Sequence, residues 1–194
     1  ILECFKHVLK EFGYPPKDDR TIYNTIGMTL VDAFDLLTDM PDNPQCEDMR
    51  KAYVKKADEV MVKKTYFYDD TIAILQTLQN AGVKVGIVST KYRYRIVNTF
   101  NEQAGSFPVD IIVGGEDVTK AKPDPQGLDL IIERFGADRS DVLYIGDSYI
   151  DAETARNSGV DFAGVTTGST TKEDFEKYPH IYIGSSLLDI FQNI

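Results

Sequence analysis

Apolar residues recur every three to four positions through the first third of the chain, which is the spacing of helices with one buried face. Three such sets are present: Ile1, Leu2, Phe5, Val8, Leu9 and Phe12; Leu30, Val31, Phe34 and Leu37; and Met49, Tyr53, Ala57, Val60 and Met61. Gly13 is a typical helix stop, and Pro15 and Pro16 then break the pattern. No strand-forming run interrupts this stretch, so it is predicted to be helical up to about residue 64.

From Asp70 onward the pattern changes to an alternation of helices and short β-branched runs. The predicted strands are residues 83–88, 110–113, 142–145, 160–165 and 181–183. This order indicates βαβ units, and therefore a doubly wound parallel sheet covered by helices on both faces. We predict an α/β core formed by residues 1–13 and 68–194, and an inserted all-α cap formed by residues 14–67.

The amino-acid composition limits the kinds of molecule that this protein could bind. The 194 residues carry a formal net charge of -10, which disfavours nucleic acid, and no apolar run is long enough to cross a membrane. Cys4 and Cys46 lie far apart without metal-site spacing, so we expect reduced thiols and a cytoplasmic protein. No segment marks an interface, and we expect a monomer or a weak homodimer.

Polar residues that could carry chemistry follow two of the predicted strands. Ser89 and Thr90 end the 83–88 run, and Asp147 ends the 142–145 run, with Asp151 one helical turn later. Lys122 opens a helix directly after a polar loop. Each of these residues alone has an ordinary interpretation. A Ser or Asp after a strand is commonly a helix N-cap, and a single lysine is commonly a solvated surface residue. Together, at the carboxyl edge of one sheet, they provide what phosphoryl transfer needs: donors and positive charge for phosphoryl oxygens, and carboxylates for Mg²⁺.

Three motifs resemble those of the haloacid dehalogenase superfamily of hydrolases, in their order and separation. They are Val85-Gly86-Ile87-Val88-Ser89-Thr90-Lys91, similar to the second motif; Lys122-Pro123-Asp124-Pro125, similar to the third; and Gly146-Asp147-Ser148-Tyr149-Ile150-Asp151, similar to the fourth. The helical block lies where the family inserts its C1-type cap. The chain looks most similar to the phosphoglycolate-phosphatase-like group, whose cap commonly carries an Ile-Gly pair such as Ile26-Gly27.

The resemblance implies a Mg²⁺-dependent hydrolase of a small phosphorylated metabolite. Ser89 and the backbone N–H of Thr90 would bind the transferring phosphoryl group, and Lys122 would neutralise charge on the nucleophile and the phosphate. Asp147 would ligate Mg²⁺. Asp151 would orient a metal-bound water or Lys122 without touching the metal.

One motif of the family is missing. Its first motif, Asp-x-Asp-Gly-Thr, supplies the nucleophile at the end of the central strand, and no Asp-x-Asp occurs in these residues. The helix at Ile1 also lacks a capping residue before it. We therefore expect an N-terminally truncated chain that lacks the nucleophile and its strand, and is inactive as it stands. Alternatives are a pyrophosphatase or a sugar-phosphate mutase on the same core, or a catalytically inactive phosphate-binding module.

Two further features are weaker signals. Lys91, Arg93 and Arg95 form a basic run after Ser89, which could attract an anionic substrate, although a solvated first helical turn is the simpler interpretation. Residues 166–171 could line the mouth of the site, although a polar connection is the simpler interpretation.

Overall fold

The computed structural model describes residues 1–194, which divide into two compact units, Ile1–Thr65 and Tyr66–Ile194. The first unit is helical, as predicted. Its helices are α1 (Leu2–Glu11), α2 (Asp19–Tyr23), α3 (Leu30–Thr38) and α4 (Cys46–Val60). Asp18 and Thr29 begin α2 and α3 by accepting backbone N–H groups in the first turn of each helix, which satisfies donors that have no partner within the helix.

The core of the helical unit is built around three aromatic rings. The ring centroid of Phe5 is 5.2 Å from that of Phe34 and 4.8 Å from that of Tyr53. Val8 is fully buried beside them. Because its apolar stripe is covered by α3 and α4, α1 belongs to this unit. This differs from the grouping of residues 1–13 with the α/β core that the sequence analysis predicts.

The second unit alternates helices and strands. These are α5 (Thr71–Asn80), β1 (Gly86–Val88), α6 (Arg93–Gln103), β2 (Ile111–Val113), α7 (Gln126–Phe135), β3 (Leu143–Gly146), α8 (Tyr149–Ser158), β4 (Asp161–Val165), α9 (Lys172–Phe175), β5 (Tyr182–Gly184) and α10 (Leu187–Asn193). All five predicted strands are confirmed, whereas the single turn α9 is not predicted. None of the helices is both long and apolar enough to span a membrane.

The strands are all parallel, as predicted, but they form two separate sheets. β1 pairs with β2, with Ile87 opposite Ile112. The other sheet has the order β3-β4-β5. β1 and β3 therefore each have one hydrogen-bonded neighbour, and they do not pair with each other. These are the strands that lead into Ser89 and Asp147.

The interruption of the sheet between β1 and β3, which do not pair with each other, leaves some apolar side chains incompletely covered. Ile87 and Val88 of β1 and Ile145 of β3 are only half-buried, whereas Phe162 and Ala163 of β4 are almost completely buried. Strands inside a parallel sheet that is covered on both faces normally bury their side chains on both sides. β1 and β3 are therefore less completely covered than β4, which has a partner on each side.

Helix α7 holds the two sheets together. Leu128 and Ile132 are buried in a cluster that contains Phe162 of β4, and Val88 of β1 packs against the same cluster. Gly127 lets the helix approach closely, because a Cβ built there would lie 3.0 Å from Cγ1 of Val88. The two groups of strands thus share one core although no strand joins them.

Candidate active site

Asp151 is the centre of a buried polar network at the carboxyl end of β3. Its Oδ1 accepts hydrogen bonds from Nζ of Lys122 at 2.6 Å and from the hydroxyl of Tyr144 at 3.1 Å. Its Oδ2 accepts from the backbone N–H of Ser148 at 3.1 Å and from the Ser148 hydroxyl at 2.6 Å. Both carboxylate oxygens are therefore saturated by donors from within the unit.

The local sequence explains how this network forms. Ser148 is the N-cap of α8 and exchanges hydrogen bonds with Asp151 three residues later, which is a capping box. Gly146 leaves room for the carboxylate, because a Cβ there would lie 2.6 Å from Cγ of Asp151 and still nearer to its Cβ. Lys122 reaches the network from the loop that precedes α7. A strand end, a helix cap and a distant loop thus meet at one carboxylate.

Electrostatics favour the ionised form of Asp151. Burial alone would raise the pKa of its carboxyl, but the charge of Lys122 and the hydrogen bonds from Lys122, Ser148 and Tyr144 lower the pKa below its ordinary value. The side chains of Lys122 and Asp151 are only 13% and 6% exposed, so this ion pair is screened little by solvent. Burial, and then the neighbouring Asp151 charge, raise the pKa of Tyr144 well above its usual value, so the phenol stays protonated and donates.

The lowered pKa of Asp151 predicts a contribution to acid unfolding. A carboxyl whose folded pKa lies below its unfolded pKa stabilises the fold above about pH 4, and that contribution is lost as the pH falls through the folded pKa. We expect the free energy of unfolding to fall less steeply between about pH 5 and pH 3 in Asp151→Asn than in the unaltered chain. Denaturant unfolding at a series of pH values measures this. Equal slopes in the two proteins would contradict it.

Asp147 lies directly beside this network but has a different environment. Its side chain reaches solvent and forms no ion pair within 4 Å, and the only hydrogen bond acting on its carboxylate comes from its own backbone N–H. Partial desolvation, and then the neighbouring Asp151, raise the pKa of Asp147, while Lys122 opposes that shift. An accessible carboxylate held next to a second carboxylate attracts a cation.

The loop formed by residues 166–171 braces Asp147 from outside. A Cβ built on Gly168 would lie 2.5 Å from Oδ2 of Asp147 and still nearer to its carbonyl oxygen, so the loop backbone packs directly on this residue. Thr170 is buried, and its hydroxyl accepts the backbone N–H of Tyr149 at 2.8 Å. This loop is therefore more than a polar connection, since it supports the start of α8 on both sides of Ser148.

Ser89 and Thr90 lie at the corresponding end of β1. The backbone N–H of Ser89 donates to the carbonyl of Val113 at 3.0 Å, which extends the pairing with β2 by one residue. The Ser89 hydroxyl oxygen accepts the N–H of Lys91 at 3.1 Å, so its own hydrogen remains available to a ligand. Gly115 approaches Thr90 closely, because a Cβ on Gly115 would lie 2.6 Å from the Thr90 carbonyl oxygen.

The structure thus brings together some of the predicted residues and not others. Lys122 and Asp151 are in direct contact, with Asp147 beside them. Ser89 and Thr90 lie across the interruption between β1 and β3 and form no hydrogen bond with those three. The sequence analysis missed Tyr144, and it did not foresee the contacts of Gly168 and Thr170. The inward position of Tyr144 on a strand was a usable signal, whereas contacts across about twenty residues of sequence leave no local pattern.

The carboxylates fit a hard divalent cation in type but not in number. No group of three or more His, Cys, Asp or Glu side chains in the structure is arranged to hold a metal ion. Mg²⁺ prefers oxygen ligands and keeps several waters, so one accessible carboxylate such as Asp147 is a suitable partial site. Asp151 already forms an ion pair with Lys122, so it is suited to orienting Lys122 or a metal-bound water and not to binding the metal directly.

Comparison with known proteins agrees with this geometry. The sequence profile of the haloacid dehalogenase-like hydrolases matches residues 1–165, and the chain belongs to this family. A solved haloacid dehalogenase-like hydrolase from Bacteroides fragilis is 46% identical, with a TM-score of 0.93 over 96% of this chain and 89% of that one. The α/β fold and the family predicted from the sequence are therefore confirmed.

Two further relatives are less similar in sequence. Pyrophosphatase PpaX from Oceanobacillus iheyensis is 25% identical over 98% of this chain and 86% of its own length. A phosphoglycolate phosphatase from Shigella boydii serotype 4 is 28% identical over 82% of this chain and 61% of its own length. Both names describe hydrolysis of a phosphate bond in a small molecule.

Proposed function

We propose that the intact protein is a Mg²⁺-dependent phosphate hydrolase that works through an aspartyl-phosphate intermediate. The observation that carries the proposal is the contact between Lys122 and Asp151 beside the accessible carboxylate of Asp147. A fixed ammonium group and a solvent-accessible carboxylate at one strand end suit a phosphoryl group and a divalent cation, respectively.

Each residue then has a defined task. The Ser89 hydroxyl and the Thr90 backbone N–H donate hydrogen bonds to the phosphoryl oxygens. Lys122, held in place by Asp151, neutralises charge on the phosphoryl group and the nucleophile. Asp147 holds Mg²⁺, which when bound would stabilise negative charge that develops during transfer. Tyr144 and Ser148 keep Asp151 ionised, so that Lys122 stays fixed in one position.

The nucleophile is proposed to come from residues outside the 194 described here. Support comes from the interruption between β1 and β3, the two strands whose ends carry Ser89 and Asp147. A parallel strand between them would pair with both edges, and its carboxyl end would fall between the phosphoryl donors and the metal carboxylate. On this proposal the chain without that strand is inactive.

The proposed substrate is a small phosphorylated metabolite with a second anionic group. Pyrophosphate carries a second phosphate and phosphoglycolate carries a carboxylate, and these are the molecules named in the two relatives. Phosphoglycolate phosphatase-like hydrolysis is our first candidate. Pyrophosphate hydrolysis is the second, because the pyrophosphatase resembles this chain over more of both lengths.

The remaining parts of the proposal concern the helical unit and the setting. We propose that the helical unit Ile1–Thr65 corresponds to the C1-type cap of the family. Neither cysteine forms a disulfide and both are buried, and burial, followed by the Asp35 carboxylate, raises the pKa of Cys46 to about 12, which keeps that thiol unreactive. This chemistry suits the reducing cytoplasm, where we propose that the protein acts as a monomer or weak homodimer.

The test is hydrolysis of pyrophosphate and phosphoglycolate with and without Mg²⁺. It uses this chain and a version that also contains the residues encoded upstream of Ile1. We expect turnover only in the extended, Mg²⁺-supplied protein. Turnover that is unaffected by a chelator would contradict the metal assignment. A folded extended protein that binds these anions without hydrolysing them would support a phosphate-binding module instead.

A further inference from the structure

The basic run after Ser89 is not a uniform solvated surface. Arg93 forms an ion pair with Asp117 at 3.2 Å. The guanidinium of Arg95 lies over the rings of Tyr92 and Tyr94, 5.2 and 5.3 Å from their centroids, and this residue is buried. Lys91 differs from both, because its ammonium group has neither a hydrogen bond nor an ion pair in the structure.

The surroundings of Lys91 make this lack of a partner costly. The side chain is half-buried, so its ammonium group is only partly hydrated. Burial, and then the positive charge of Arg95, lower the pKa of Lys91, and no carboxylate acts in the opposite direction. A partly desolvated cation that is repelled by a neighbouring positive charge is stabilised when an anion binds.

The backbone of Lys91 is fixed beside the proposed phosphoryl donors. Its N–H donates to the hydroxyl oxygen of Ser89 at 3.1 Å, and its carbonyl accepts the N–H of Gly115 at 3.2 Å. The start of this side chain is therefore held two residues from Ser89, while its flexible four-carbon stem can adjust to a ligand. An anion that touches Ser89 and Thr90 therefore lies near the base of the Lys91 side chain.

We propose that Lys91 binds a second anionic group, a carboxylate or a second phosphate, of a substrate whose phosphoryl group lies on Ser89 and Thr90. This inference rests on the proposed function and adds the residue that selects the substrate class. Lys91 is then a specificity residue, distinct from Lys122, whose ammonium group is already committed to Asp151.

Binding to the chain as it stands tests this assignment without requiring turnover. Calorimetric titrations use methyl phosphate, which has no second anionic group, beside phosphoglycolate and pyrophosphate, all in the presence of a chelator. We expect the unaltered chain to bind at least one of the two ligands that carry a second anionic group about tenfold or more tighter than methyl phosphate. Lys91→Met should abolish that preference and leave methyl phosphate binding unchanged, and Lys91→Arg should restore most of it. Lys172→Met removes an exposed lysine from α9 and is the matched control.

The outcomes separate the inference from the proposed function. A loss confined to pyrophosphate, or to phosphoglycolate, supports the role of Lys91 and identifies the group it binds. A Lys91→Met chain that keeps the full preference overturns the assignment while leaving the phosphate site intact. Equal weakening for all three ligands also overturns it, because Lys91 would then bind the phosphoryl group itself. A chain that binds none of them contradicts the phosphate site, and this inference with it.

Discussion

Replacing Lys122 by Met is expected to lower the free energy of unfolding at pH 7 by about 3–5 kcal/mol. The variant leaves Asp151 buried and ionised without its cation, and the hydrogen bonds from Ser148 and Tyr144 compensate only part of that charge. Urea unfolding followed by circular dichroism measures the change, since the chain has no tryptophan to report by fluorescence.

Two further variants show whether the buried charge is the cause. Lys120→Met removes an exposed lysine whose nearest carboxylate oxygen, on Asp124, is 3.8 Å away, and we expect a change within about 0.5 kcal/mol. The double variant Lys122→Met with Asp151→Asn removes both charges and should recover much of the lost stability. If Lys122→Met is no less stable than Lys120→Met, the network does not contribute as described.

Asp147→Asn is expected to lower kcat/KM by about 10³-fold in the hydrolysing protein, near the upper end of what removal of one group that stabilises transition-state charge costs. The amide preserves the shape of the side chain but removes the charge that holds Mg²⁺. Kinetics across a Mg²⁺ titration measure both the loss and any shift in metal requirement.

A second variant shows whether loss of any acidic charge lowers activity. Asp161→Asn, at the exposed start of β4, removes an acid of the same type far from the network and should leave kcat/KM within about twofold. An Asp147→Asn protein with unchanged Mg²⁺ dependence would show that this carboxylate is not a metal ligand. A protein that loses activity together with its folded circular dichroism spectrum would instead point to a structural role.

The sequence predicted the parts of the fold that depend on local pattern. The five strands coincide with short β-branched runs, and α7 ends at Phe135 because Gly136 follows it in a left-handed conformation. The grouping of residues 1–13 was not predictable in this way. An amphipathic helix shows that one face is buried but not which partner covers it.

The sequence also predicted only part of the site, because contacts between distant segments leave no local pattern. The i and i+4 spacing of Asp147 and Asp151 placed two carboxylates at one strand end, and the structure adds Lys122, 29 residues before Asp151, as the partner of the second. The resemblance to a family suggested this pairing, whereas spacing alone did not. The contact of Gly168 with Asp147 crosses two elements and leaves no trace in hydrophobic periodicity.

The interrupted sheet also affects how the chain behaves at high concentration. β1 and β3 each present a row of unpaired backbone N–H and C=O groups, and such rows are templates for pairing with another molecule. The net charge of -10 keeps molecules apart by repulsion, and that repulsion weakens as ions screen it. Ionic strength therefore controls the colloidal behaviour of this chain: dilute buffer favours dispersed molecules, and concentrated salt favours edge-to-edge aggregates.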